Sequence, residues 1–252
     1  MQSHHFWLSD KQFERLQPLL PNKTRGVPRV DDRRVISGII HVLRHGLMWR
    51  DAPVAYGPHK TLYNRFVRWS EAGVFGRIFA TLAAESTATH TVMIDATHLK
   101  AHRTAASAQK GAVPRRIRRT KGGLNSKLHA ACDADGKPLI LLLTEGQVSD
   151  YRGADTMLPA FPDADDLIAD RGYDSDRFRQ ALLDLGIEPC IPGRSNREEE
   201  ILYDKALYKQ RNLIERMFGR LKDWRRIATR YDRCAHTFMS AICIAATVIF
   251  WL

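Results

Sequence analysis

The stretch from Thr91 to His102, TVMIDATHLKAH, decides the fold. A short apolar run closing on Asp95 has the texture of a buried strand, not of an amphipathic helix. The residues after it keep that texture. NSKLHAACDADGKPLILLLTEGQ (125–147) alternates before DADG and is rich in β-formers after it, which predicts a hairpin. ADTMLPAF (154–161) predicts a short helix, DDLIADRGYDS (165–175) a second apolar strand ending in Asp170, DRFRQALLDLG (176–186) a helix closed by Gly186, and IEPCIP (187–192) a strand. Adding the helix after them, the order is β, β, β, α, β, α, β, α, the signature of an α/β domain with strands buried between helices.

Upstream of Thr91 the periodicity is helical throughout. LSDKQFERLQPLLP (8–21) carries Ser9 and Gln12 at capping-box spacing, with Pro18 and Pro21 ending the helix. In DDRRVISGIIHVLRHG (31–46), Asp31 or Asp32 supplies the N-cap, Val35, Ile36, Ile39, Ile40 and Leu43 the apolar stripe, and Gly46 the stop. A turn rich in Pro and Gly leads into a helix from about His59 to Ala72. There Leu62, Phe66 and Trp69 share one side while Lys60, Asn64 and Arg68 share another. This favours a helix-turn-helix unit reading a groove or gripping phosphates over the plain three-helix bundle that any basic protein could carry.

The chain has 252 residues, 44% of them hydrophobic and 27% charged, enough to bury a real core. Its 39 Lys and Arg against 28 Asp and Glu leave a formal charge of +11, which points to a polyanionic partner, nucleic acid above all. Cys132, Cys190, Cys234 and Cys243 form no paired motif, so neither a zinc knuckle nor a disulfide framework is expected. His98 and His102 have no third soft ligand at helpful spacing and read as packing or DNA-facing residues, not zinc ligands. FMSAICIAATVIFWL, at 15 residues, is short of the roughly 20 that cross a bilayer. It reads as a core helix, and the protein as cytoplasmic and nucleoid-associated when bound to DNA.

A basic loop, 103–123, separates the Asp95 strand from the hairpin. It holds Arg103, Lys110, Arg115, Arg116, Arg118, Arg119 and Lys121 and few apolar residues, a composition that orders on a polyanion or stays solvated.

In YKQRNLIERMFGRLKDWRRI (208–227), Tyr208, Arg211, Glu215 and Lys222 fall within an arc of roughly 60° if one helix runs throughout. Leu207, Leu213, Ile214, Met217, Phe218 and Leu221 fill the adjoining arc, so the polar four stand along the edge of a buried stripe. Asp95 and Asp170 end strands, where α/β sheets gather ligands, and Glu215 lies on that edge. Together they suit hard divalent cations, Mg²⁺ or Mn²⁺, with two ions serving an in-line phosphoryl displacement. Most acids in any chain are solvated or capping, however. Asp133 and Asp135 belong to a turn, Asp155 reads as an N-cap and Glu198 to Glu200 as an exposed run, so position alone leaves both readings open.

The resemblance to a known family favours the first. Tyr208, Arg211, Glu215 and Lys222 fit the Y-x2-R-x3-E-x6-K signature of bacterial insertion-sequence DDE transposases at every defined position. LIADRGYDSD resembles the second-aspartate segment of that family, IDATHLKAH its first, and RTKGGLNSKLHA the stretch between. LSDKQFERLQPLLP and GLMWRDAP are similar to its amino-terminal part. The likeness is to the insertion-sequence five family. One departure is Arg118, where the family more often has glycine.

The resemblance implies an RNase H-like fold, metal-dependent hydrolysis at the transposon end and attack of the freed 3′-OH on target DNA. It assigns catalysis and metal binding to Asp95, Asp170 and Glu215, places Tyr208, Arg211 and Lys222 along the DNA, and implies at least two protomers in a synaptic complex. Lys60, Asn64, Arg68, Arg118, Arg119 and Lys121 complete the expected DNA contacts. The expected organisation is a helical DNA-binding domain over 1–85 and an RNase H-like catalytic domain over 86–252. Only 45 positions (215 − 170) separate the last two acids, so that domain is expected to be compact.

Overall fold

The computed structural model describes residues 5–22, 29, 31–85, 90–107 and 114–252. Contacts gather the chain into two compact units, one of residues 1–82, 102–115 and 221–252, the other of residues 83–101 and 116–220.

The first unit is helical. Helix α1 (Asp10–Leu16) opens with the expected capping box, Ser9 accepting from the Gln12 backbone and Gln12 from that of Ser9. Helix α2 (Asp32–His45) is capped by Asp31 and stopped by Gly46, whose φ of 72° costs no Cβ clash. Helix α3 (His59–Glu71) buries Leu62, Phe66 and Trp69 and exposes Lys60, Asn64 and Arg68. Helix α4 is Val74–Ala83. The guanidinium of Arg65 pairs with Asp32 and lies 4.8 Å from the Trp69 ring centre, tying α3 to α2. Gly38 lets α2 approach Tyr56, because a Cβ there would stand 2.7 Å from the tyrosine Cβ.

The second unit is built on a mixed sheet. Strand β1 (Thr91–Ala101) pairs antiparallel with β3 (Gly123–Cys132), which pairs antiparallel with β4 (Pro138–Glu145) and with the short β2 (Arg118–Thr120). On the other side of β1 lie β5 (Asp166–Ile168) and β6 (Glu188–Cys190), both parallel. An antiparallel group continued by parallel strands, with helices alongside, is the expected RNase H-like α/β fold. Helices α5 (Asp150–Met157) and α6 (Asp176–Leu183) supply Ala154, Phe178 and Leu182 to a core with Val92, Ile94, Ala131, Leu167, Tyr173 and Ile191. Gly153 is required at the α5 surface, since a Cβ there would come within 2.0 Å of Nδ1 of the fully buried His129 on β3.

Three expectations change. The first strand does not stop at Asp95: it runs to Ala101, because β3 offers partners as far as Lys100 opposite Asn125. The basic loop contributes β2, folded against β3 through Lys121 and Gly122, while residues 108–113, Lys110 among them, lie outside the described residues. Ser149, not Asp155, caps a short helix. It accepts from the backbone of Arg152, and Asp155 pairs with Arg177 instead.

The last segment of the first unit holds α9 (Arg225–Ala228) and α10 (Ala235–Ala246), with α10 packed on α2 and α3. The carboxyl-terminal apolar stretch is thus a core helix, and among the described residues no helix is long and apolar enough to cross a membrane. Its sequence position groups it with the residues after 85, yet it packs with those before them.

Candidate active site

The segment from Tyr208 to Ile227 is not one uninterrupted helix. Helix α7 (Lys205–Tyr208) passes into a 3-10 turn at Lys209–Arg211 before α8 (Asn212–Lys222) resumes the α geometry. A 3-10 turn eclipses side chains three residues apart, so Tyr208 and Arg211 fall on one line, tighter than α geometry gives. Asp204 starts the segment, its carboxylate accepting from the backbones of Ala206 and Leu207. Ile214 and Met217 bury the opposite side of α8. Lys222, its last residue, stands two turns beyond Glu215 on nearly the same helix line.

Asp95 sits in the middle of β1, opposite Ala130 of β3, with its side chain 18% exposed. One carboxylate oxygen accepts from the backbone of Ala96 at 2.7 Å, and the other lies 3.3 Å from Nη1 of Arg211. Nη2 of the same guanidinium donates to Glu215, which is half exposed. Arg211 therefore stands between two of the three expected acids.

Asp170 follows β5 and caps a 3-10 turn, Arg171–Tyr173, by accepting from the backbone of Gly172 at 2.7 Å. Burial pushes the Asp95 carboxyl up to about 6, and the charges of Asp170 and Asp150 add to the rise, while the Ala96 backbone and Arg211 oppose it. Burial also raises the Tyr208 hydroxyl, with Arg211 opposing and Asp170 adding to the shift. On Arg211 burial works against the charge, and Glu215 and Asp95 outweigh it.

Three neighbours escaped the sequence reading. Asp150 opens α5 and pairs with the nearly buried Lys127 of β3 at 2.9 Å, bringing a further carboxylate near Asp95. The buried hydroxyl of Tyr173 has no hydrogen-bond partner, and its proton is held well above the usual range by burial first and then by Asp150, Asp95 and Asp170. Their only sequence signal is position: a residue opening the helix after the hairpin, a partner on its first strand, and a tyrosine three beyond Asp170.

The donor chemistry suits a hard divalent cation. The groups around Asp95 are carboxylates, an oxygen set that Mg²⁺ and Mn²⁺ prefer, and their charge exceeds what Arg211 neutralises. Among the described residues, no three His, Cys, Asp or Glu side chains stand together closely enough to hold a metal ion. Arg211 takes the counter-charge role in this arrangement. Of the remaining expected DNA contacts, Lys60, Asn64 and Arg68 are on the exposed side of α3 in the first unit, and Arg118, Arg119 and Lys121 are exposed on the β2–β3 hairpin of the second.

Residues 87–250 match the family described as "Transposase DDE domain", and residues 8–79 match "Putative transposase of IS4/5 family (DUF4096)". The "Putative transposase for insertion sequence element IS6501" of Brucella ovis is 35% identical over 130 residues, 51% of this chain and 99% of that protein. An uncharacterized protein of Sinorhizobium fredii, y4sN, is 36% identical over 118 residues, 46% of this chain and 86% of its own. A piggyBac transposase solved in a synaptic complex with hairpin DNA has a TM-score of 0.54 at 9% identity, covering 97% of this chain and 73% of that one, a likeness of fold alone. With its DDE domain matched over most of the chain and the IS4/5-type segment before it, the protein belongs to the DDE transposases of insertion sequences.

Proposed function

We propose that this transposase binds the terminal inverted repeats of its element, hydrolyses the phosphodiester at each end and joins the freed 3′-OH to target DNA. The observation that carries the reading is the tie from Asp95 through Arg211 to Glu215, with Asp170 near enough to act on Asp95. Asp95, Asp170 and Glu215 would hold Mg²⁺ or Mn²⁺, two ions by the chemistry of phosphoryl transfer. Held by these carboxylates, such ions would supply Lewis-acid activation of the attacking oxygen and charge stabilisation of the leaving one.

The chain's own residues do the rest. Arg211, whose fork ties Asp95 to Glu215, would turn those donors to a phosphate once metal ions take the carboxylates, while Lys222 offers a point charge two turns along the same helix line and Tyr208 a hydroxyl beside Arg211. Lys60, Asn64 and Arg68 read a groove or grip phosphates, and Arg118, Arg119 and Lys121 hold the DNA backbone. On this reading residues 1–85 serve recognition and 86–252 serve chemistry, and two DNA ends require at least two protomers.

The test is nicking of end-labelled DNA carrying the repeats that flank the gene, with Mg²⁺ and with chelator. Nicking at the repeat end that needs the metal and fails in Asp170→Asn supports the proposal. Binding without nicking makes the protein a regulator, and nicking without joining makes it a nuclease.

A further inference from the structure

In the first unit, a pocket of about 430 Å³ opens between the turn before α3 and the first turns of α3, lined by Met48, Trp49, Arg50, His59, Lys60 and Tyr63. That volume falls in the range of small-ligand clefts, roughly 300–1,000 Å³. Tyr63 is 46% and Met48 58% exposed, although neither gains by facing water. Arg50, His59 and Lys60 are exposed around them, and no carboxylate lines the pocket. Asp51 meets Arg50 at 3.7 Å from the next position.

The aromatic wall is held in place. Trp49 and Tyr63 meet at a ring-centre distance of 5.7 Å and an interplanar angle of 61°, forming a corner. Phe66 packs on Trp49 at 5.1 Å, and Arg226, whose Nη2 donates to the Leu47 carbonyl at 2.7 Å, places its Cζ 5.8 Å from the Trp49 ring centre. The start of α3 adds backbone donors, because its N-cap is Pro58 and no side chain caps it.

A π-face fixed at the back and cations at the rim fit a planar ring joined to an anion. We infer that this pocket takes one unstacked nucleobase of DNA, stacked in the Trp49–Tyr63 corner, with the adjoining phosphate held by Arg50 and Lys60. The inference rests on the DNA-binding reading above and adds to it a base-accepting site made of residues other than the carboxylates. Stacking accepts any base, so the site favours unpaired over paired DNA without choosing sequence.

The test uses the whole chain and two fluorescent probes, a short oligothymidylate and the same sugar-phosphate chain without bases, with binding to repeat-end duplex measured in parallel. The native protein is expected to bind the oligothymidylate about tenfold more tightly than the abasic chain, and Tyr63→Ala to remove that preference. Arg50→Ala weakens both probes, Tyr63→Phe restores the preference, and Trp7→Ala, at an exposed tryptophan outside the pocket, changes nothing. Equal binding of the two probes, or a preference untouched by Tyr63→Ala, overturns the inference. No oligothymidylate binding overturns it as well, and duplex binding then separates the two failures: retained, it leaves the transposase reading standing; lost, it removes that too.

Discussion

The carboxylate of Asp95 lies 3.3 Å from Nη1 of Arg211, a residue 116 positions further along the chain. That contact joins the middle of β1 to the turn before α8, and through Nη2 the same guanidinium reaches Glu215. The arginine supplies the positive charge that these two acids share.

Arg211→Ala leaves those acids without their counter-charge. The pair is partly exposed, so the expected loss of stability in chelator is modest, about 1 kcal/mol. Added Mg²⁺ then stabilises the variant more than the native protein, because the ion no longer competes with a guanidinium. Thermal unfolding with and without Mg²⁺ reads the difference, and equal metal shifts in both proteins contradict it.

Asp174 is fully buried and pairs with Arg179 at 2.8 Å and Arg197 at 2.7 Å, while its carboxylate also accepts from the Arg194 backbone. Burial alone would raise this carboxyl, but Arg197, the Arg194 backbone and Arg179 hold it well below the usual range. Asp174→Asn is expected to cost about 1–3 kcal/mol in urea unfolding, since it removes the buried carboxylate that the partly exposed guanidinium groups of Arg179 and Arg197 meet. It should also speed trypsin cleavage after Arg194 and Arg197.

His129 is fully buried, with Nε2 2.9 Å from the Thr144 hydroxyl and Nδ1 unpartnered. Burial depresses it from 6.5 to about 4. The unfolded chain therefore binds a proton between those values that the folded one refuses, and stability falls as pH drops through that window. The contribution at neutral pH is at most about 3 kcal/mol. The pH dependence of the urea midpoint measures it, and His129→Gln should flatten the slope between pH 6.5 and 4.

Gly153→Ala would ordinarily help a helix by up to about 1 kcal/mol. Here the new Cβ meets the His129 ring, so a net loss of about 1–3 kcal/mol is expected. In Gly153→Ala with His129→Ser the penalty should largely vanish, a coupling that a double-mutant cycle measures.

Local signals carried far where they were chemically specific. The Ser9–Gln12 capping box, the Gly46 stop, the 133–137 turn and the two faces of α3 all lay open in the sequence. The rest depended on partners. Thr97, His98 and Lys100 are polar and do not announce a strand, yet β3 extends β1 through them. Local periodicity in the Tyr208 segment does not reveal a 3-10 turn, and nothing local says that α10 packs with helices two hundred residues earlier. Asp95, Asp170 and Glu215 stood out as candidates from strand position and the family resemblance; Arg211 between Asp95 and Glu215, and Asp150 and Tyr173 close enough to act with them, appear only once the sheet is assembled.

The most direct measurement is joining of a pre-cleaved repeat end, with its 3′-OH free, to supercoiled target DNA in Mg²⁺, by native protein and by Asp95→Asn and Glu215→Gln. The native chain should form joined product and each variant should fall by about a thousandfold, several kcal/mol of lost charge stabilisation at ~1.4 kcal/mol per decade. Joining that survives in both variants would contradict a catalytic role for these carboxylates.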